Sequence, residues 1–317
     1  MRIFVTGSTG VVGRRLVPML TAAGHQVTAA GRDRARLATI AAHGAATVQL
    51  DLFDREAVRR ALAGHDAVVN LATHIPSSSW RMMLPGAWRE NDRIRSEGSA
   101  LLVDEALRAG ASRFVQESFA PIYADAGDRW IDESFPVRPG RYNRSSVDAE
   151  RSTERFTASG GTGIVLRFAG FYGPDSRMLH EMVAMARRGI APLPGASDAY
   201  CSSIAHDDAA SAVLAVLGAP AGIYNACDDE PLSRAAWHLA LAHAAGIPVP
   251  KPMPRWMTRL MGSLGEVLSR SQRMSNAKLR ATGWAPRWAS AREGLRAALG
   301  PAAPVVRVDA TPAPFGR

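Results

Sequence analysis

Arg2-Ile-Phe-Val-Thr-Gly-Ser-Thr-Gly-Val-Val-Gly-Arg-Arg-Leu16 is the stretch whose reading decides the fold. Ile3-Phe4-Val5 is a short apolar run of the kind that forms a buried strand. It breaks at Thr6-Gly7 into a Gly7-x-x-Gly10-x-x-Gly13 turn, and apolar residues then recur at helical spacing through Val12, Leu16, Val17 and Leu20. Each glycine has a separate task. Gly7 permits the tight turn, Gly10 lets backbone approach a pyrophosphate, and Gly13 lets the helix settle on the sheet. The helix N-terminus, with its unpaired N–H groups, then faces the diphosphate. Glycine-rich turns also serve plain strand-to-helix packing, but here strand and helix flank the motif on the sides that a dinucleotide site requires.

A chain of 317 residues with 47% hydrophobic and 21% charged residues suits one large α/β domain, or a domain with a smaller lobe. No apolar run is long enough to span a bilayer and the opening strand is not signal-like, so the expectation is a cytoplasmic protein without membrane attachment. The net charge of +9 raises the question of nucleic acid. The arginines, however, are scattered along helices among Asp and Glu, with no like-charge run and no aromatic–basic motif, so no nucleic-acid partner is expected. The two cysteines, Cys201 and Cys227, read as reduced thiols, and no metal site is expected. Lysine is scarce: Lys251 and Lys278 only.

Outward from the glycine turn, Gln26-Val-Thr-Ala-Ala30 reads as a second strand ending in Gly31-Arg32-Asp33. In this architecture a carboxylate at that point holds the adenosine ribose. Gly31 removes the anion and Arg32 supplies a guanidinium that can bind a 2′-phosphate through paired hydrogen bonds, which predicts NADP(H) in preference to NAD(H). Helical patterns over 35–42 and 55–63 alternate with strands at Thr47–Leu52 and His65–Ala72. A long helix is predicted over about 88–109, followed by a strand over 113–117. The alternation predicts an α/β fold, a Rossmann-like doubly wound parallel sheet with a smaller C-terminal substrate lobe. Residues 75–86, rich in Pro, Ser and Met, read as a mobile loop near the site.

Thr6-Gly-x-x-Gly-x-x-Gly13, Asp51-Leu52, Asn70-Leu-Ala72, Phe114-Val-x-x-Ser118-x-x-x-Ile122-Tyr123, Tyr142-x-x-Ser145-x-x-x-x-Glu150, Leu166-Arg-Phe168 with Phe171-Tyr-Gly-Pro174, His206-Asp-Asp-Ala209, Tyr224-Asn225 and Ser275-Asn-Ala-Lys-Leu279 with Gly283-Trp284 occur in that order. As a set they resemble the extended short-chain dehydrogenase/reductase superfamily, of the NAD(P)-dependent epimerase/dehydratase type, to about residue 300. The resemblance implies a seven-stranded or similar sheet within an NADP-binding domain over 1–175. It also implies a partly interleaved substrate lobe over 176–300 and a Pro-rich tail over 301–317. The cofactor is expected against Gly7, Ser8, Thr9, Gly10, Val11, Val12, Gly13, Arg32, Asp51, Leu52, Leu71, Ala72, Thr73, Tyr142 and Phe168. A homodimer is common in the family.

In that family a tyrosine exchanges the proton while the nicotinamide exchanges hydride. A lysine four residues later lowers the tyrosine's pKa, a Ser or Thr bonds the substrate oxygen, and an Asn supports a water relay. A phenol titrating near 10 is a poor acid–base at neutral pH unless a cation stabilises its anion. Tyr142 matches the tyrosine, but the lysine position is Ser146, the Ser/Thr position is Phe119 and the Asn position is Arg95. Ser118, one residue earlier, keeps a hydroxyl, although strand neighbours point to opposite faces. The candidate catalytic residues are therefore Tyr142, Ser118 and Arg95, with Arg95 or Arg144 in part of the lysine's role. Gly170 stands where nucleotide-sugar enzymes commonly carry an Asn.

The expected function is an NADPH-dependent reductase of a carbonyl, or an activated double bond, in an apolar or aromatic secondary metabolite. A sugar epimerase or dehydratase and a non-catalytic NADP-binding regulator are the alternatives. Asp207 or Asp208 is expected to cap a helix beginning at His206, and Cys227-Asp-Asp-Glu230 to form a polar turn. Residues 255–270 read as an amphipathic basic helix over the cleft. Trp80, Met82, Met83, Trp88, Phe171, Met182 and Trp256 are among the apolar side chains available to a flat ligand.

Overall fold

The computed structural model describes residues 1–300 other than 77, 79, 80 and 85; Trp80 and the tail over 301–317 lie outside the described residues. Seven parallel strands form the central sheet: β1 (Arg2–Thr6), β2 (Gln26–Gly31), β3 (Ala46–Gln49), β4 (Ala67–Asn70), β5 (Arg113–Phe119), then β7 (Thr162–Phe168) after a two-residue β6 (Trp130–Ile131), and β11 (Gly222–Ala226) after the short β8 (Gly170–Tyr172), β9 (Tyr200–Cys201) and β10 (Ser203–Ala205). Their spatial order is β11-β7-β5-β4-β1-β2-β3. The chain winds one way from β1 to β3 and the other way from β4 to β11. The reversal falls between β1 and β4, paired in register from Ile3 opposite Ala67 to Thr6 opposite Asn70. Open sheets of this kind bind ligands beyond the strand C-termini at that reversal.

Alternation along β1 assigns the two cores. Ile3 and Val5 face one layer with Leu16, Val17 and Leu20 of α1 (Gly13–Ala22) and Val213 and Val216 of α8 (His206–Val216). Phe4 faces the other layer with Val58 and Leu62 of α3 (Arg55–Leu62), Leu102 and Val103 of α5 (Ser99–Arg108) and Phe156 of α6 (Arg144–Ala158). The first crossover helix after α1 is α2 (Arg34–Ala41), whose first turn is capped by the Asp33 carboxylate. The helix expected over 88–109 is not uniform. It runs as α4 (Arg89–Arg93), a π-helical stretch over Ile94–Gly98, and α5. The π turn inserts one residue per turn and brings Arg95 into the protein.

A separate apolar cluster is built on α7 (Arg177–Arg187), α9 (Arg234–Ala245) and α13 (Ala291–Leu299), around Leu179, Trp237, Leu241 and Leu295. β12 (Leu232–Ser233) leads into α9, and β13 (Arg273–Met274) precedes α12 (Ala277–Arg280). The helix expected over 255–270 is broken in two, α10 (Arg255–Leu260) and α11 (Gly262–Ser269), because Gly262 turns the chain with φ of 56°. Leu264 and Val267 of α11 pack on Tyr142. Among the described residues no helix is long and apolar enough to cross a membrane, and no three His, Cys, Asp or Glu residues are grouped to hold a metal.

Candidate active site

The glycine turn after β1 fits a dinucleotide on backbone geometry alone. Gly7 has φ of 64°, and a Cβ there would lie 2.4 Å from the Leu71 carbonyl oxygen at the end of β4. A Cβ at Gly13 would lie 2.3 Å from the Gly7 carbonyl oxygen, so both positions admit only glycine. Gly10 is exposed, and its nearest neighbour would be the Gly7 oxygen at 3.1 Å. The N-cap of α1 is Val12, with no side-chain hydrogen bond to the first turn; the Arg14 and Arg15 amides are taken by the Gly10 and Val12 carbonyls, which leaves the amides just ahead of them for an anion.

The other expected cofactor residues divide into surface and scaffold. Thr9 and Thr73 are half-buried and Val11 is exposed at the rim. Asp51 and Leu52 lie in the turn after β3, where the Asp51 carboxylate accepts the Phe53 amide. Arg32 projects from the end of β2 with 62% of its side chain exposed, its guanidinium 3.4 Å from the Glu90 carboxylate. Ser8, by contrast, turns inward and donates to the Ala30 carbonyl at 2.9 Å, leaving only its backbone on the crevice side. Val12, Leu71, Ala72 and Phe168 are buried, the Phe168 ring 5.3 Å from that of Phe171. Beneath them Asn70 accepts from Thr6 at 2.6 Å and donates to Ser99 and Gln116, which ties β1, β4, α5 and β5 together.

The expected catalytic set is not assembled as a proton relay. Tyr142 is buried between Trp88 and Phe119, at ring distances of 5.1 and 6.4 Å, with Leu264 and Val267 against it. Its hydroxyl has no hydrogen-bond partner among the described residues. Burial pushes its pKa well above the usual tyrosine range, and the positive charges of Arg270 and Arg95 offset only part of that. Arg95 is 2% exposed and already engaged: Nη1 donates to Ser146 Oγ at 2.8 Å and Nη2 to Glu117 Oε1 at 2.5 Å. Ser146 lies one helical turn beyond Tyr142, so a guanidinium reaches the lysine position, but with its charge balanced by a buried carboxylate. Arg144, the other expected substitute, is exposed.

Ser118 is removed from the candidates. It is fully buried, and its hydroxyl donates to Glu150 Oε1 at 2.6 Å, while Arg167 holds both oxygens of that carboxylate at 2.9 and 2.6 Å. The residue facing Tyr142 is Phe119, as strand alternation requires. His74 is exposed, and its backbone amide donates to Asn91.

The polar segments set aside in the sequence are structural, in ways different from those expected. Asp207 and Asp208 do not cap α8, whose N-cap is Ala205 without a side-chain bond. Asp207 pairs with Arg15 of α1 at 2.5 Å, and Asp208 accepts the Arg287 amide at 2.7 Å. His206 reaches Asp175 at 2.9 Å, and Asp175 also holds Arg14 and Arg15, so these charges staple α1 to α8. Hydrogen bonds from His206 and Arg15 hold the Asp175 carboxyl below the usual range although burial opposes them. Cys227-Asp-Asp-Glu230 is not a surface turn throughout, since Asp228 is buried and burial raises its pKa.

Three groups escaped the sequence reading. Glu117, the partner of Arg95, is a buried carboxylate in the polar second half of β5, Gln116-Glu117-Ser118. Asn143 is fully buried beside Tyr142 with both amide atoms unpartnered among the described residues. Arg234 follows Ser233, the cap of α9, at the head of an apolar helix, and lines a cavity of about 120 Å³. Val267 and Leu268 line that cavity too and belong to the cluster around Tyr142, so the two spaces adjoin.

Comparison with known proteins agrees with this geometry. The model of the NAD-dependent epimerase/dehydratase family matches residues 3–227. A 3-diazoavenalumate denitrifying reductase from a Streptomyces species is 35% identical over 307 residues, covering 93% of this chain and 99% of that protein. A 2-alkyl-3-oxoalkanoate reductase of Shewanella oneidensis is 26% identical over 291 residues, 84% of this chain and 72% of that one. Among solved structures, a human epimerase family protein with NADPH superposes with a TM-score of 0.76 at 20% identity, over 95% of this chain and all of that one. The chain belongs to the NAD-dependent epimerase/dehydratase family. The expected class, an NAD(P)-dependent oxidoreductase, agrees with the family and with relatives named as reductases.

Proposed function

We propose that this family member is an NADPH-dependent reductase that delivers hydride to an apolar, aromatic small molecule without a tyrosine–lysine proton relay. The observation that carries it is Tyr142: a phenol sealed among aromatic rings, raised in pKa by burial, with no lysine and no unbalanced cation beside it. Such a group is a poor acid–base at neutral pH. The reduction that suits it best is one whose product needs no proton from the protein.

Replacement of an aromatic diazo group by hydrogen is such a reaction, and the relative named for a diazo substrate supports it. When bound, the dihydronicotinamide supplies the hydride that forms the new C–H bond; the C–N bond breaks, and its electron pair leaves with N2. The chain's part is to position and exclude water. Glycines 7, 10 and 13 admit the diphosphate, Arg32 takes the 2′-phosphate, and the Asp51-Leu52 turn and residues 71–73 line the remainder. Trp88, Phe119 and Tyr142 hold a flat ligand by stacking and keep the site dry. Residues 1–175 serve as the nucleotide half, and residues 176–300 provide most of the substrate wall.

Reduction of a carbonyl is the second reading, supported by the oxoalkanoate reductase; it needs a proton at the new alkoxide, from water or from the substrate. Oxidation of NADPH with an aryl diazonium salt, an aryl ketone and UDP-glucose separates the readings. N2 release with stoichiometric NADPH loss is expected with the diazonium. Turnover of the ketone alone would select the carbonyl reading, and interconversion of the sugar by enzyme supplied with NADP+ or NAD+, with no net reduction of the nucleotide, would select the epimerase. Binding of NADPH without consumption across the panel would select a regulator.

A further inference from the structure

The cavity beside Tyr142 has one polar feature that its apolar walls do not account for. Phe171, Leu179, Met182, Leu193, Trp237 and Met274 line it, and at about 120 Å³ it is close to the size of an engineered cavity that accepts benzene. Ser202, Ser203, Arg270 and Gln272 are also in the lining, and Arg234 stands apart from them by its pairing. It is 2% exposed, and among the described residues no carboxylate lies within ion-pair distance of it, the Asp125 charge acting only from further off. One guanidinium nitrogen, Nη2, donates to the Leu268 and Arg270 carbonyls at 2.7 Å each. Nε and Nη1 are buried and have no partner among the described residues.

Arg95, Arg167 and Arg270 differ from Arg234 in having a carboxylate, although Arg95 Nε and Arg167 Nη1 are also buried without a partner among the described residues. Arg95 has Glu117, and Arg167 has both oxygens of Glu150. Arg270 donates to the Tyr123 and Arg138 carbonyls and to Glu266. A guanidinium stays charged in proteins, so a buried one with no counter-charge is costly unless an anion completes it. The nearby His238 cannot serve. Burial and the Arg234 charge push its pKa down to about 4, so it is neutral, and its Nε2 accepts the Leu193 amide at 3.3 Å.

We propose that Arg234 is the specificity-determining residue of this enzyme: the cavity takes one aromatic ring of the substrate, and an unpartnered N–H of the Arg234 guanidinium receives that substrate's carboxylate. The enzyme is then a reductase of aromatic acids. Arg167 grips Glu150 side-on through Nε and Nη2; in Arg234 Nη2 is taken by carbonyls, so the carboxylate is held by charge and a single N–H, from Nε or Nη1. A diphosphate fits less well, since the walls are mostly apolar and the second arginine present, Arg270, is already committed to carbonyls and to Glu266. Two of the reductases similar to this chain are named for carboxylates, an avenalumate and an alkanoate. The proposal rests on the reductase reading for the word substrate, but not for the existence of the anion site.

The test uses the full chain loaded with NADPH and titrates cinnamate, methyl cinnamate and UDP-glucose while following tryptophan fluorescence, since Trp237 lines the cavity. Wild type should bind cinnamate roughly ten- to a hundredfold more tightly than its ester. Arg234→Gln, which removes the charge and keeps a polar amide, should lose that preference and bind NADPH as before. Arg234→Lys should retain part of it. Equal binding of acid and ester by wild type, or an undiminished preference in Arg234→Gln, overturns the proposal. So does binding of UDP-glucose in place of cinnamate, sensitive to Arg234. Acid binding that depends on Arg234, in a protein that never oxidises NADPH with any aromatic acid, upholds the anion site and overturns the reductase reading instead.

Discussion

The crevice over α1 and the pocket around Tyr142 lie at the same end of one sheet, yet they are made of different material. The crevice is made of backbone. Gly7 and Gly13 leave no room for a Cβ, and α1 begins without a side-chain cap. The pocket is made of side chains, and of the positions on which its chemistry would depend only Tyr142 keeps its residue type. Phe119 stands for a hydroxyl, Ser146 for a lysine and Arg95 for an amide, and the replacements form a buried arginine–carboxylate pair of their own. Backbone geometry binds the nucleotide whatever the reaction is, whereas the proton path can be dismantled when the reaction does not use it.

The largest expected effect breaks the first half of that contrast. Gly13→Val places a Cβ against the backbone of the Gly7 turn, which cannot yield as a flexible side chain would. NADPH affinity, followed by fluorescence titration, should fall by about a hundredfold or more. Glu117→Ala probes the second half through stability. It leaves the buried Arg95 without its counter-charge and should lower the unfolding free energy by about 3–5 kcal/mol in urea titrations. A change below about 1 kcal/mol would mean that Arg95 finds another partner, with Tyr142 the group to examine.

Arg32→Ala is expected to act more mildly and selectively. It should weaken NADPH binding by roughly tenfold or more, the value of a charge-assisted phosphate contact, and leave NADH binding unchanged. Equal losses for both nucleotides would remove the 2′-phosphate assignment. The smallest effect is a pH dependence in the substrate wall. His238 is held neutral, with its pKa lowered by burial to about 4. The unfolded chain therefore takes up a proton that the folded one refuses as pH falls from about 6.5 toward 4. Stability contributed there should be complete above pH 6.5 and lost on acidification, and His238→Gln should flatten that part of the profile in thermal melts.

The sequence was legible where one residue dictates one geometry. The glycine spacing, the alternation of strands and helices, and the missing lysine were all read from residue identity, because a turn, a period and an absence are local facts. Pairing was not local. Nothing in the neighbourhood of Ser118 announces that its hydroxyl is taken by Glu150 on α6, nor that Arg95, turned inward by a π-helical stretch, meets Glu117 on β5. The two acids after His206 resembled helix caps because caps and long-range staples use the same residue types; only the fold shows Asp207 on Arg15 and Asp208 on the Arg287 amide. Arg234 escaped notice for the same reason, since its meaning lies in what fails to pair with it.

The most direct test of hydride delivery without a tyrosine relay is single-turnover oxidation of NADPH deuterated at the transferred position of C4, in wild type and in Tyr142→Phe. With an aryl diazonium substrate the expected result is deuterium carried into the product, a primary isotope effect on the rate, no effect of D2O, and a rate in Tyr142→Phe within about threefold of wild type. A rate that collapses in Tyr142→Phe, or a product that takes its new hydrogen from solvent, would contradict it.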